Sequence, residues 1–124
     1  MGNMSARAFS AMLFLTCSLS APGVWAHAHL QQQTPAADSE ITATPQSLTL
    51  NFSEGVESRF SAITVTDPEG KTVDTGKVVR SETNKAELSI PFNQPLSAGV
   101  YTVKWHVVSV DGHKTQGHYQ FRVK

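Results

Sequence analysis

The sequence predicts an all-β domain, an antiparallel sandwich or barrel. Short segments in which polar and apolar residues alternate recur along the chain, and turn residues separate them. These segments are rich in valine, threonine and aromatic residues, which favour strands. No window of ten or more residues shows the 3.6-residue apolar period of an amphipathic helix. Together these three observations predict the all-β class.

Five segments carry the alternation most clearly. In each, apolar side chains occupy every second position and therefore share one face of the strand. The last two segments flank residues 109–117, so we expect them to form a hairpin. Residues 27–33 are expected to run as an edge strand whose start lies beside that connection. The five segments are residues 47–52, 62–66, 85–90, 100–110 and 118–123.

The first 26 residues are predicted to be a secretory signal peptide. Arg7 is the only charged residue among them, and residues 11–17 form a short apolar run. Val24-Trp25-Ala26 places small residues at positions −3 and −1 of a cleavage site. Serine, proline and glycine follow the apolar run, which is therefore shorter than the ~20 residues of a membrane span. A second cut, after Ala28, would also fit an A-x-A pattern.

Removing residues 1–26 would leave one domain, residues 27–124, that contains no sulfur. Cys17 and all three methionines lie in the removed segment. Soft sulfur ligands for a metal are therefore excluded from the mature chain. Without Arg7, nine Lys and Arg face ten Asp and Glu, a balance that does not favour nucleic acid as a partner.

Three residues form a candidate metal site. A cut after Ala26 makes His27 the first residue, and its free α-amino group and imidazole can chelate one ion together. Asp111 and His113 are two residues apart, so in extended geometry both side chains leave the same side of the backbone. Three nitrogens and an oxygen are a ligand set that suits Cu(II).

The mature chain resembles the CopC family of periplasmic copper-binding proteins, and is most similar to its YobA-type branch. The similarity covers essentially all of residues 27–124, and the motifs occur in the expected order. They are His27-Ala28-His29-Leu30, Thr34-Pro35, Phe52-Ser53-Glu54, Gly99-Val100-Tyr101-Thr102-Val103-Lys104-Trp105 and Val108-Ser109-Val110-Asp111-Gly112-His113.

The resemblance implies a seven-stranded Greek-key β-barrel or sandwich of cupredoxin-like or immunoglobulin-like shape. It implies a Cu(II) site formed by His27, Asp111 and His113, with Glu54 as a neighbour or additional ligand. Some family members also bind Cu(I) through a methionine-rich loop with a histidine. Residues 66–85 contain neither residue type, so we expect no Cu(I) site. The family acts in copper resistance or supply, and a CopD-type inner-membrane protein is an expected partner of a monomeric chain.

Each candidate residue has a simpler interpretation. Asp111-Gly112 alone is a common turn dipeptide, and Glu54 could be a solvated carboxylate after a strand. His29, His106 and His118 are expected to be surface histidines.

Three classes of function follow: a copper carrier or buffer without catalysis, a copper-dependent oxidative enzyme with a histidine-brace-type site, and an immunoglobulin-like interaction module. The last would not explain a histidine at the cleavage point, and we expect the carrier.

The predicted export signal can be tested on the protein itself. We expect the protein isolated from the periplasm to begin at His27, whereas a cut after Ala28 would leave His29 first. Intact mass and N-terminal sequencing distinguish these ends. A periplasmic protein that still carries residues 1–26 would contradict the prediction.

Overall fold

The strands form two four-stranded sheets packed face to face in a computed structural model that describes residues 28–124. The predicted all-β class is confirmed. A single-turn 3-10 helix, Ser58–Phe60, precedes the fourth strand. The strands are β1 Leu30–Thr34, β2 Glu40–Ile41, β3 Ser47–Phe52, β4 Ala62–Thr66, β5 Val79–Arg80, β6 Glu87–Pro91, β7 Gly99–Val108 and β8 Lys114–Val123.

One sheet has the strand order β1-β3-β6-β5 and the other β2-β8-β7-β4. Neighbouring strands are antiparallel, except that β2 runs parallel to β8. The described part of the chain has eight strands where seven were expected. The difference involves two-residue strands such as β2 and β5, which are too short to show a period of two in the sequence.

The predicted inward faces are confirmed by the core. Leu48, Leu50 and Phe52 of β3 are buried, and so are alternate residues of β7 and β8. The edge of the Phe52 ring meets the Trp105 ring with 5.2 Å between centroids and 71° between planes, which joins the two sheets. Tyr101 and Phe121, directly opposite each other on β7 and β8, stack at 5.5 Å.

The hairpin of β7 and β8 positions the candidate site. Its register runs without interruption from Gly99↔Val123 to Val108↔Lys114. The connection is therefore residues 109–113, shorter than the predicted 109–117. Residues 114–117 have little alternation, and Gly117 lies opposite Trp105, whose ring covers it.

The N-terminal strand lies at a sheet edge, as expected. β1 pairs only with β3 and begins with Leu30 opposite Phe52. The start of β1 is thereby held at the same end of the sandwich as the segment that follows β3. No helix within residues 28–124 is long and apolar enough to span a bilayer.

The contact of Trp105 with Gly117 predicts a stability effect. A Cβ at position 117 would lie 2.6 Å from Cζ2 and 2.9 Å from Cε2 of Trp105, so the indole or the strand would have to move. Overpacking of this kind costs about 1–3 kcal/mol. We expect Gly117→Ala to lower the free energy of unfolding in urea by that amount.

Gln116→Ala is the matched control, because Gln116 is the exposed neighbour on the same strand. Its free energy of unfolding should change by no more than about 0.5 kcal/mol. Equal stability of Gly117→Ala and the parent protein would contradict the described packing.

Candidate metal centre

Within the connection of residues 109–113, Ser109 and His113 pair with each other and enclose a tight loop of three residues, 110–112. The Ser109 N–H donates to the His113 carbonyl at 2.8 Å, and the Gly112 N–H donates to the Ser109 carbonyl at 2.8 Å. Gly112 has φ +92°, the left-handed conformation that glycine adopts without strain. This is a turn followed by a left-handed residue, a common form of three-residue hairpin loop.

The loop brings Asp111 and His113 into contact. Nδ1 of His113 lies 3.1 Å from Oδ1 of Asp111. Their side chains remain 54% and 33% exposed, so an ion in solution can reach them. Strand alternation predicted that the two side chains lie together, but both residues lie beyond the end of β7. The turn, rather than an extended backbone, produces their contact.

Ser109 stabilises the Asp111–His113 pair by hydrogen bonds. It is fully buried, and its hydroxyl donates to Oδ1 of Asp111. The Ser109 hydroxyl oxygen also accepts from the backbone N–H of His113, at 3.2 Å. The hydrogen bond from Ser109 is the largest cause that lowers the pKa of Asp111 below its ordinary value; partial desolvation opposes it, and His113 lowers it further. Asp111 is therefore an anionic oxygen donor at neutral pH.

Residues 28 and 29 are fastened to the same end of the sandwich. The Thr115 hydroxyl donates to the carbonyl of buried Ala28 at 2.9 Å. On the other side, His29 donates its N–H to the Ser53 hydroxyl at 2.8 Å and accepts from the Ser53 N–H at 2.8 Å. Thr115 is two residues after His113, so Ala28 lies beside the hairpin loop. His27 itself lies outside the described residues.

Glu54 is a half-buried residue in the segment after β3 that borders the loop. The carbonyl of the next residue, Gly55, accepts from the Val110 N–H at 3.0 Å, and Val56 pairs with Ser109. Within residues 28–124, however, no three His, Cys, Asp or Glu side chains are grouped closely enough to hold a metal ion. Glu54 thus belongs to a segment that borders the loop, but it does not form a group of three ligands with Asp111 and His113.

The spacing of the Asp111–His113 pair suits two neighbouring ligands of one metal ion. Zinc, for which such distances are well defined, binds imidazole nitrogen and carboxylate oxygen at about 2.0–2.2 Å. Two donors at right angles around an ion would then be about 3 Å apart, close to the 3.1 Å between Nδ1 and Oδ1. The pair supplies two donors, and a stable site would need more.

The remaining histidines are exposed, as the sequence predicted. His106 and His118 are exposed on the outer face of β7 and β8, and His29 is exposed beside β1.

Sequence reasoning missed the residues that support the pair. Ser109 carried a signal, because it continues the inward register of Tyr101, Val103, Trp105 and Val107 and so places a polar side chain at a buried position. Nothing in the sequence marked Thr115 as a partner of Ala28.

The fold and the loop define a class of protein: a two-sheet β-sandwich with a carboxylate–imidazole pair in an exposed hairpin connection. The family model of the CopC domain matches residues 30–124. Protein YobA of Escherichia coli strain K12 is 54% identical over 114 residues, which cover 92% of this chain and 92% of that protein. The chain belongs to the CopC family, and the resemblance noted from its motifs is confirmed.

Solved structures of the family have the same fold. CopC from Methylosinus trichosporium OB3b superposes with a TM-score of 0.74 at 34% identity, over 79% of this chain and 94% of that chain. PcoC, a methionine-rich copper resistance protein from Escherichia coli, gives a TM-score of 0.71 at 36% identity, over 80% and 100%.

Replacing Ser109 tests how the pair is supported. In Ser109→Ala the pKa of Asp111 should rise toward its ordinary value, because the largest cause of its lowering is removed. A carboxyl whose pKa is lowered on folding stabilises the folded state at neutral pH, and that contribution is lost as the pH falls through the folded-state pKa. NMR titration of the Asp111 carboxyl in both proteins measures the change.

Ser61→Ala is the control. The Ser61 hydroxyl donates to the Glu57 carbonyl at 2.7 Å and accepts from the Val108 N–H at 3.2 Å, so it also supports the end of β7. Each substitution should lower the free energy of unfolding by about 1–3 kcal/mol. Only Ser109→Ala should move the pKa of Asp111, and an equal shift in both variants would refute the assignment.

Proposed function

We propose that this protein is an exported Cu(II)-binding protein of copper homeostasis that carries or buffers the ion in the periplasm. The copper ion is its cargo, held by the α-amino group and imidazole of His27 together with Asp111 and His113. Residues 1–26 are the signal peptide whose removal creates that amino group, and residues 27–124 are the copper-binding domain. Glu54 is a neighbour that orients the ligands or balances their charge.

The observation that carries the proposal is the hydrogen bond from Thr115 to the Ala28 carbonyl, at the same end of the sandwich as the Asp111–His113 pair. Ala28 is thereby held close to Thr115, which is two residues after His113. Two donors in the loop need partners from another segment, and Ala28 directly follows His27 in the chain. A histidine at that end can supply both missing nitrogens.

The donor chemistry favours Cu(II) over Cu(I). An amine, two imidazoles and an ionised carboxylate are borderline to hard donors, and four of them suit a tetragonal Cu(II) ion. Cu(I) prefers thiolate or thioether, and residues 27–124 contain neither Cys nor Met. In this respect the chain differs from PcoC, which is described as methionine-rich. We therefore propose that Cu(II) is the form bound.

The proposed role is that of a non-catalytic protein. The anionic carboxylate of Asp111 would occupy a ligand position that an oxygen-activating copper enzyme leaves open. Family relatives named as copper resistance proteins support a role in copper handling. A CopD-type inner-membrane protein is the proposed partner, and the chain itself is proposed to act as a monomer.

The decisive experiment moves the amino group. A protein with one alanine added before His27 retains every side chain but separates the free amine from the imidazole. Its Cu(II) affinity, measured by competition with a chelator of known affinity, should fall by orders of magnitude, because chelation within one residue requires little additional ordering. His113→Ala and Asp111→Ala should each cause a large loss, and Glu54→Ala about 10–100-fold.

His106→Ala and His118→Ala are matched controls, since each removes an exposed imidazole on the outer face of the hairpin strands and not in the loop. Both should bind Cu(II) like the parent protein. Undiminished affinity in the extended protein, or equal losses across all the histidine variants, would overturn the proposed site. Turnover of a reductant with dioxygen by the copper-loaded protein would favour the enzyme instead.

A further inference from the structure

The outer face of the sheet formed by β4, β7 and β8 is unusual in its charge. These three strands contain no Asp or Glu, although the described residues as a whole include ten. Lys104 and Lys114 are exposed there and form no ion pair within residues 28–124. Arg122 also lies on this face but is opposite Glu40 of β2. The uncompensated charge is thus on β7 and β8, with Lys114 at the hairpin loop and Lys104 farther along the sheet.

We use the term basic face for Lys104, His106, Lys114, Gln116 and His118, with Phe60 at the rim. Lys104 pairs with His118 and His106 with Gln116 in the β7–β8 register, so these side chains form adjacent rows. The other sheet shows no such bias. Its outer positions on β3 and β6 are Ser47, Thr49, Asn51, Glu87 and Ser89.

The basic face is grooved and has an apolar margin. Two shallow grooves of about 600 Å³ and about 550 Å³ cross it, and His106 and Gln116 line both. Phe60 borders the second groove and is 60% exposed, although it is a large apolar residue. The guanidinium of Arg59 lies 5.6 Å from the centre of the Phe60 ring, which adds a cation to this margin. Exposed aromatic residues beside Arg are frequent at protein–protein contacts.

We propose that the basic face is a docking surface for an acidic segment of another protein, with an apolar side chain of that partner against Phe60. Charge complementarity selects the partner, because a face with cations and no carboxylate attracts Asp and Glu and repels basic surfaces. Rows of side chains about 4.8 Å apart can interdigitate with an extended acidic chain. The exposed ring and the grooves favour a protein partner over a lipid headgroup, which needs neither.

The position of the basic face would bring a docked partner close to the candidate metal ligands. Lys114 directly follows His113, and Phe60 borders the groove that contains Lys114. A partner held there would lie next to the hairpin loop. The inference depends on the charge and shape of the face alone, so it can be tested on metal-free protein. Failure of copper binding would leave it standing, and failure of docking would leave copper binding standing.

The test uses a short synthetic peptide of alternating glutamate and leucine, titrated into the metal-free, ¹⁵N-labelled protein. Amide shifts should change at the basic face, and affinity should fall with added salt because the contact is electrostatic. In the double variant Lys104→Glu/Lys114→Glu, binding should weaken by about tenfold or more, since two attractive charges become repulsive. Phe60→Ala should weaken binding without altering its dependence on salt.

The matched control is Lys71→Glu/Lys77→Glu, which makes the same change of charge at two exposed lysines outside the basic face. It should bind the peptide like the parent protein. An equal loss in both double variants, or shifts spread over all lysine-bearing segments, would show only general attraction and overturn the proposal. So would binding to phosphatidylglycerol vesicles through these residues without binding to the peptide.

Discussion

The antiparallel register of β7 and β8 is the constraint on which the other features depend. Ten consecutive pairs, from Gly99↔Val123 to Val108↔Lys114, fix which side chains point inward and which outward. A shift of one residue would exchange the two faces of each strand, exposing Trp105 and burying Lys104. The tight loop closed by Ser109 and His113 fixes this register at one end. The loop that holds the candidate ligands therefore also helps to fix which side chains of β7 and β8 enter the core.

Three surfaces of the same hairpin serve three purposes. Its inner face joins the sheets through Trp105 and Phe121, its loop presents Asp111 and His113, and its outer face carries the unpaired lysines. Residues 28 and 29 lie near the loop because β1 is at the edge of the other sheet and begins at the same end of the sandwich. Thr115 provides the contact between the two sheets at that point. Segments from the two ends of the described chain thereby lie side by side.

The sequence predicted the long strands well, because a period of two over five or more residues reflects burial on one face. It could not reveal β2 and β5, since two residues contain no period. The proximity of Asp111 and His113 was predicted from extended geometry, whereas a turn with a left-handed Gly112 produces it. The hydrogen bonds from Ser109 depend on the burial of this residue, which the whole fold determines. In the sequence, only its position in the inward register of β7 indicated that burial. The roles of His27, Asp111, His113 and Glu54 as ligands stay predictions.

The packing of Trp105 has an optical consequence. It is the only tryptophan in residues 28–124, and its indole lies between Phe52 and Gly117 with an N–H that has no hydrogen-bond partner among the described residues. An indole in such a buried, apolar setting emits at shorter wavelength than one in water. The contact between the sheets therefore contains an intrinsic fluorophore, which reports separation of the two layers without any added label.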